Sequence, residues 1–166
     1  MINKIAKKLV DNHLTIATAE SCTGGLLSSA LTDISGSSKF VYLNLVTYSN
    51  EAKMNMLHVK KETLEKYGAV SEQTAFEMAA GLYNLTGADI CVSTTGIAGP
   101  TGGTAEKPVG LMYSTIYIGI NQTHKTAKIL VTPELPRIEL KREFVRRVLL
   151  NLYETIECFW NPLYVW

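Results

Sequence analysis

The order of apolar and polar segments predicts a three-layer α/β/α sandwich around a mixed five-stranded sheet, on three observations. Strand-like and helix-like segments alternate as far as Thr95. Two further strand-like runs follow, joined by the short connection GINQTH, which suits an antiparallel hairpin. A long amphipathic segment then offers one more helix to cover the sheet.

In the first segment Ile2, Ile5, Ala6, Leu9 and Val10 recur at helical spacing. Leu14 to Thr18 reads as a short buried strand that ends at the Glu20–Ser21 corner, with a helix from about Cys22 to Thr32 behind it. After the turn SGSS at 35–38, the aromatic and β-branched run Phe40 to Tyr48 is the second strand. Glu51 to Leu57 and Glu62 to Tyr67 form short helices, the latter stopped by Gly68. Ser71 caps a helix that runs to about Leu85, with Ala75, Ala79 and Leu82 on one face. Ile90 to Thr95 is the third strand; Val109 to Ile118 and Thr126 to Val131 are the hairpin strands. The last helix spans about Leu140 to Phe159, its apolar stripe made by Val145, Val148, Leu149, Leu152 and Ile156. With no linker or repeat, the reading is one domain over 1–166, with a core of about 2–159 and an apolar tail at 160–166.

Composition narrows the class of function. Apolar residues make up 46% of the 166 and charged residues 19%, which excludes a disordered chain. A net charge of +1, with Lys and Arg scattered, leaves no electrostatic footprint for nucleic acid or an anionic membrane. No apolar run approaches the ~20 residues that span a bilayer, and the N-terminus lacks the apolar core of a signal peptide, so a cytoplasmic setting is expected. Cys22, Cys91, Cys158, His13, His58 and His124 are dispersed and show no metal-ligand spacing. No metal and no cofactor is expected.

Three polar segments fall where the carboxyl ends of parallel strands should lie, the usual place for ligands in such sheets. In TAESCTGG (18–25), a helix N-terminus would offer free N–H groups and partial positive charge, and Gly24 and Gly25 permit close backbone approach. Ser21 there is either a capping residue or a nucleophile, and Cys22 is a rival nucleophile. In VTYSNEAK (46–53), Lys53 is either a solvated helix lysine or, if desolvated, a base that can activate a serine; Tyr48 is either a packing residue or part of the same site. TTGIAGPTGG (94–103), followed by KPVG (107–110), is a glycine-rich connection that can approach a ligand or serve simply as a loop.

The strings TAESCTGG, SGSS, VTYSNEAK, GAVSE, TTGIAGPTGG and KPVG, in this order and spacing, resemble the CinA C-terminal domain family from about Ile2 to Tyr153. Stand-alone members of that family are nicotinamide-nucleotide amidases. They convert nicotinamide mononucleotide and water to nicotinate mononucleotide and ammonia without a metal, on a three-layer α/β/α fold. The resemblance implies Ser21 as nucleophile, with Tyr48 and Lys53 as its activating groups. It further implies Thr95 as a substrate-site hydroxyl and an arginine at the start of the last helix; Thr23, Gly24, Gly25 and Gly96 in the two glycine-rich segments are further substrate-binding candidates. Arg142 in LKREFVRR is the match taken for that arginine, without the Gly-Asp that usually precedes it, and Arg146 lies one turn on. The apolar terminal FWNPLYVW either folds back onto its own domain or packs against a second copy; the resemblance favours the second, a homodimer in which the tail contributes buried surface. Two other readings keep the pocket: a Cys22-dependent amidase, and a nucleotide-binding regulatory module without turnover.

Overall fold

The computed structural model describes residues 1–160. The elements run α1 (Ile2–Asp11), β1 (Ile16–Glu20), α2 (Leu26–Thr32), a 3₁₀ turn (Ser37–Lys39), β2 (Val41–Val46), α3 (Asn50–Leu57) and α4 (Lys61–Tyr67). They continue with α5 (Glu72–Thr86), β3 (Ile90–Gly96), β4 (Leu111–Ile118), β5 (Thr123–Leu130) and α6 (Arg137–Trp160). The five strands form one mixed sheet in the order β2-β1-β3-β4-β5. β1 is parallel to both neighbours, and β4 is antiparallel to β3 and to β5.

Two apolar layers flank the sheet. Ile5 and Leu9 of α1, Leu27 and Leu31 of α2, and Leu140, Phe144, Val148 and Leu152 of α6 pack on one face. Leu57, Val59, Leu64, Met78, Ala79 and Leu82, from the segment carrying α3 to α5, pack on the other. Covered on both faces and paired on both edges, β1 is buried along its whole length, whereas the edge strand β2 is not.

α3 carries Lys53, and two local features fix it. The Ser49 hydroxyl caps it by accepting the Ala52 N–H at 3.0 Å. At its far end, a Cβ on Gly81 of α5 would stand 1.9 Å from the Leu57 carbonyl oxygen, so only glycine lets the two helices approach this closely.

The sequence reading differs from the structure at several element ends. The second helix begins at Leu26 rather than about Cys22, because Gly24 and Gly25 take φ of +60° and +95°, outside the helical region. The last helix begins at Arg137 rather than about Leu140. Its first turn is exposed and carries no apolar periodicity, although Pro136 just before it is a helix-start signal. The strand expected from Phe40 to Tyr48 is confined to Val41–Val46, and β5 starts three residues earlier than read, at Thr123. Most of the terminal tail assigned to an interface, 161–166, lies outside the described residues.

Candidate active site

Three parallel strands end at one level. Glu20 stands opposite Val46 on β2 and Thr94 on β3. Just beyond, the Ser21 N–H donates to the Thr94 carbonyl at 3.0 Å and the Thr47 N–H to the Glu20 carbonyl at 2.8 Å. Residues distant in sequence are therefore fixed side by side by sheet hydrogen bonds before any side chain is considered.

The loop after Ser21 is held from beneath. Glu20 is fully buried, and its carboxylate accepts N–H groups from Gly25 (3.0 Å), Leu27 (3.1 Å) and Ser28 (2.7 Å), together with the Ser28 hydroxyl. A carboxylate at this point satisfies the free N–H groups of a helix N-terminus and complements its partial positive charge. The α2 terminus is thus filled by the protein's own side chain, and Ser21 and Cys22 precede the helix instead of opening it. Gly24 N–H donates to the Ser21 carbonyl at 3.1 Å, which folds 21–24 into a tight turn. Directly after the serine, the Thr23 N–H donates to no acceptor among the described residues, and the Cys22 N–H has only its own thiol beside it.

Lys53 meets Ser21 in this turn. It is 1% exposed, and its Nζ lies 3.1 Å from Ser21 Oγ, 3.0 Å from the Thr47 carbonyl and 3.1 Å from the Tyr48 carbonyl. Carbonyl oxygens only accept, so two N–H groups are committed to Thr47 and Tyr48. The remaining tetrahedral position faces Ser21. In the ammonium form that position is a third N–H, and in the neutral amine it is a lone pair able to take the serine proton. Burial lowers the Lys53 pKa from its ordinary 10.5, with the Cys22 sulfur opposing, and so favours the amine. No carboxylate pairs with Lys53 among the described residues.

A cleft of about 260 Å³ opens over this pair. Ser21, Cys22, Lys53, Tyr48 and Arg137 line it, along with the strand end and loop at 95–102. Thr95 and Gly96 lie in its wall, and the Thr95 hydroxyl donates to the Ala69 carbonyl at 2.6 Å. The Tyr48 ring is 60% exposed, and its hydroxyl accepts from Arg137 at 3.0 Å; what Tyr48 gives Lys53 is a main-chain carbonyl. Arg137 also donates to the Gly99 carbonyl, tying the glycine-rich loop to the end of β2. Thr23, Gly24 and Gly25 do not line the cleft: Thr23 is buried against Thr94 at 2.8 Å between hydroxyls. Arg142 and Arg146 are not brought to it either. They pair with Glu139 and Glu143 on the exposed side of α6, because the helix starts at Arg137 and turns those positions away.

A model of the CinA C-terminal domain matches residues 1–156. The chain belongs to the CinA C-terminal domain family. A CinA-like protein of Kosmotoga olearia is 51% identical over 144 residues, covering 84% of this chain and 34% of that one. The chain spans about a third of the length of the curated relatives it matches. Among solved structures, the competence/damage inducible protein CihA of Agrobacterium tumefaciens is 41% identical with a TM-score of 0.86, over 94% of this chain and 95% of that one. The competence damage-inducible protein A (ComA) of Klebsiella pneumoniae is 33% identical with a TM-score of 0.90, over 96% of each chain.

In this CinA domain the rival candidate, Cys22, is not poised as a thiolate. The Cys22 thiol is pushed up to about 12, chiefly by burial, and the Glu20 carboxylate adds to the rise. It remains a thiol at neutral pH. Cys22→Ala is therefore expected to keep within about threefold of the parent rate in an ammonia-release assay, an estimate for a small change at a buried wall position. Among the described residues no three His, Cys, Asp or Glu side chains gather as metal ligands, and no helix is long and apolar enough to cross a membrane.

Proposed function

We propose that the chain is an amidohydrolase that removes the amide of nicotinamide mononucleotide, with Ser21 as nucleophile and Lys53 as its base. The observation that carries this reading is the buried Nζ, 3.1 Å from Ser21 Oγ, with its other hydrogen-bonding directions taken by two carbonyls. A serine hydroxyl gains nucleophilicity only when a neighbour takes its proton, and a desolvated lysine amine can do so.

In the proposed course Lys53 accepts the Ser21 proton as Oγ attacks the carboxamide carbon. The Thr23 N–H, left free behind the serine, and the Cys22 N–H, which faces only its own thiol, suit the oxyanion; one such donor contributes about 3 kcal/mol in other acyl-transfer enzymes. Protonated Lys53 then hands its proton to the leaving nitrogen, and ammonia departs. Water, deprotonated by the same amine, releases nicotinate mononucleotide from the acyl-serine. Arg137 takes the place given to Arg142 and Arg146 in reading the sequence, since it is the arginine that lines the cleft. Tyr48, hydrogen-bonded to Arg137, belongs to this substrate-facing side rather than to the base. The substrate itself is supported by the family resemblance, and the reading includes a cytoplasmic setting.

Ammonia release by the purified protein from nicotinamide mononucleotide tests the reading directly. Tight binding without release would instead support a regulatory nucleotide-binding module. The reading also includes a homodimer; light scattering returning the mass of a single chain would remove that part alone.

A further inference from the structure

Lys141 follows Arg137 by four residues, so both project from the same side of α6. A Cβ built on Gly24 would stand 3.1 Å from Lys141 Nζ, which places the ammonium directly over the turn that carries Ser21. Arg142 on the same helix pairs with Glu139, and Arg146 and Arg147 share Glu143. Lys141, half-buried, makes no ion pair or hydrogen bond with any described residue. A second, open groove of about 380 Å³ runs along Pro136, Arg137, Ile138 and Lys141, and shares Arg137 with the cleft.

The dimensions assign these cations a task. Pockets that enclose a small ligand usually measure ~300–1,000 Å³, and the cleft at about 260 Å³ falls just short. A nucleotide with its carboxamide at Ser21 would carry its far end toward the rim. The α2 N-terminus cannot receive a phosphate there, because the Glu20 carboxylate already occupies it. The unpaired cation beside the rim can.

We propose that Arg137 and Lys141 form a two-cation subsite for the phosphate of the nucleotide at the cleft mouth, and that Lys141 makes the site prefer a nucleotide over the corresponding nucleoside. This rests on the amidase reading above. Two N–H groups of Arg137 are engaged with Gly99 and Tyr48, which holds its guanidinium in place and leaves others for phosphate oxygens. Lys141 supplies the second charge from the opposite end of the turn, and Gly24, without a side chain, lets it approach.

The test compares nicotinamide mononucleotide with nicotinamide riboside, which carries the same carboxamide and lacks the phosphate. K141Q is expected to lower kcat/KM for the nucleotide about tenfold or more, through KM, and to leave the riboside within about twofold. K141R should restore the nucleotide to near the parent value, and the K141Q deficit should shrink at high salt. Equal losses on both substrates would mean that Lys141 serves the turn or Glu20, and would overturn the proposal, as would no loss on either. A binding titration of both compounds to S21A protein, with and without K141Q, gives a readout free of turnover. If the parent chain releases no ammonia, the amidase reading falls, and the titration alone decides whether Lys141 discriminates for phosphate.

Discussion

Ser21→Ala is expected to reduce ammonia release from nicotinamide mononucleotide by at least about a thousandfold, the scale on which removal of a nucleophile acts in hydrolases. The loss should fall on kcat, because the proposed substrate contacts at the rim and the glycine-rich loop do not involve the Ser21 hydroxyl. The change deletes one oxygen at a position whose fold contribution is the main-chain bond to Thr94, so the thermal midpoint should stay close to that of the parent. A burst of nicotinate product trapped on the parent protein, absent in the variant, would locate the acyl group on this residue. Turnover by Ser21→Ala at more than a few per cent of the parent rate would instead hand the chemistry to another group.

Lys53→Arg and Lys53→Met should each cost about 10²–10⁴ in kcat, the usual worth of a positioned general base. The arginine variant is the sharper test, since it keeps the charge but cannot give up its proton near neutral pH. A parent-like rate in that variant would exclude Lys53 as the base. The two should differ in stability. With its pKa held below 10.5 by burial, Lys53 binds fewer protons in the folded chain than in the unfolded one. Its penalty to the fold is complete below the lowered value, fades as pH rises through the window, and is gone above 10.5. Lys53→Met should therefore be more stable than the parent at acidic pH in denaturant titrations, with the advantage shrinking as pH approaches 10.5. The catalytic rate of the parent should climb with pH across the lower edge of the same window, as the amine forms.

The sheet was legible because its signals are local. Alternating segments, the Ser71 cap, the Gly68 stop and the GINQTH hairpin each leave a mark within a few residues, and the structure places strands and helices accordingly. The strand ends were legible for the same reason, which is why Ser21, Tyr48, Lys53, Thr95 and Gly96 all reach the cleft. Glu20 was passed over as a corner residue, since nothing in the string AES says that three N–H groups will converge on its carboxylate. The burial of Lys53 depends on carbonyls at 47 and 48 and on the closeness of Leu57 to Gly81, which only tertiary structure creates. Arg137 was missed because apolar periodicity marks where a helix touches the core, and the first turn of α6 touches solvent. Pro136 was the signal that would have found it.

Arg137 reaches across 38 residues to Gly99 and across 89 to Tyr48, whereas Ser21 and Lys53 are only 32 apart. During synthesis from the N-terminus, the segments bearing the reactive pair emerge long before the helix that closes the cleft mouth. Contacts of such wide sequence separation form late, after loop-closure entropy has been overcome. The arginine that links the glycine-rich loop to β2 is thus the last part of the cleft to be made. Under the proposed reading, turnover of the mononucleotide would report the docking of α6.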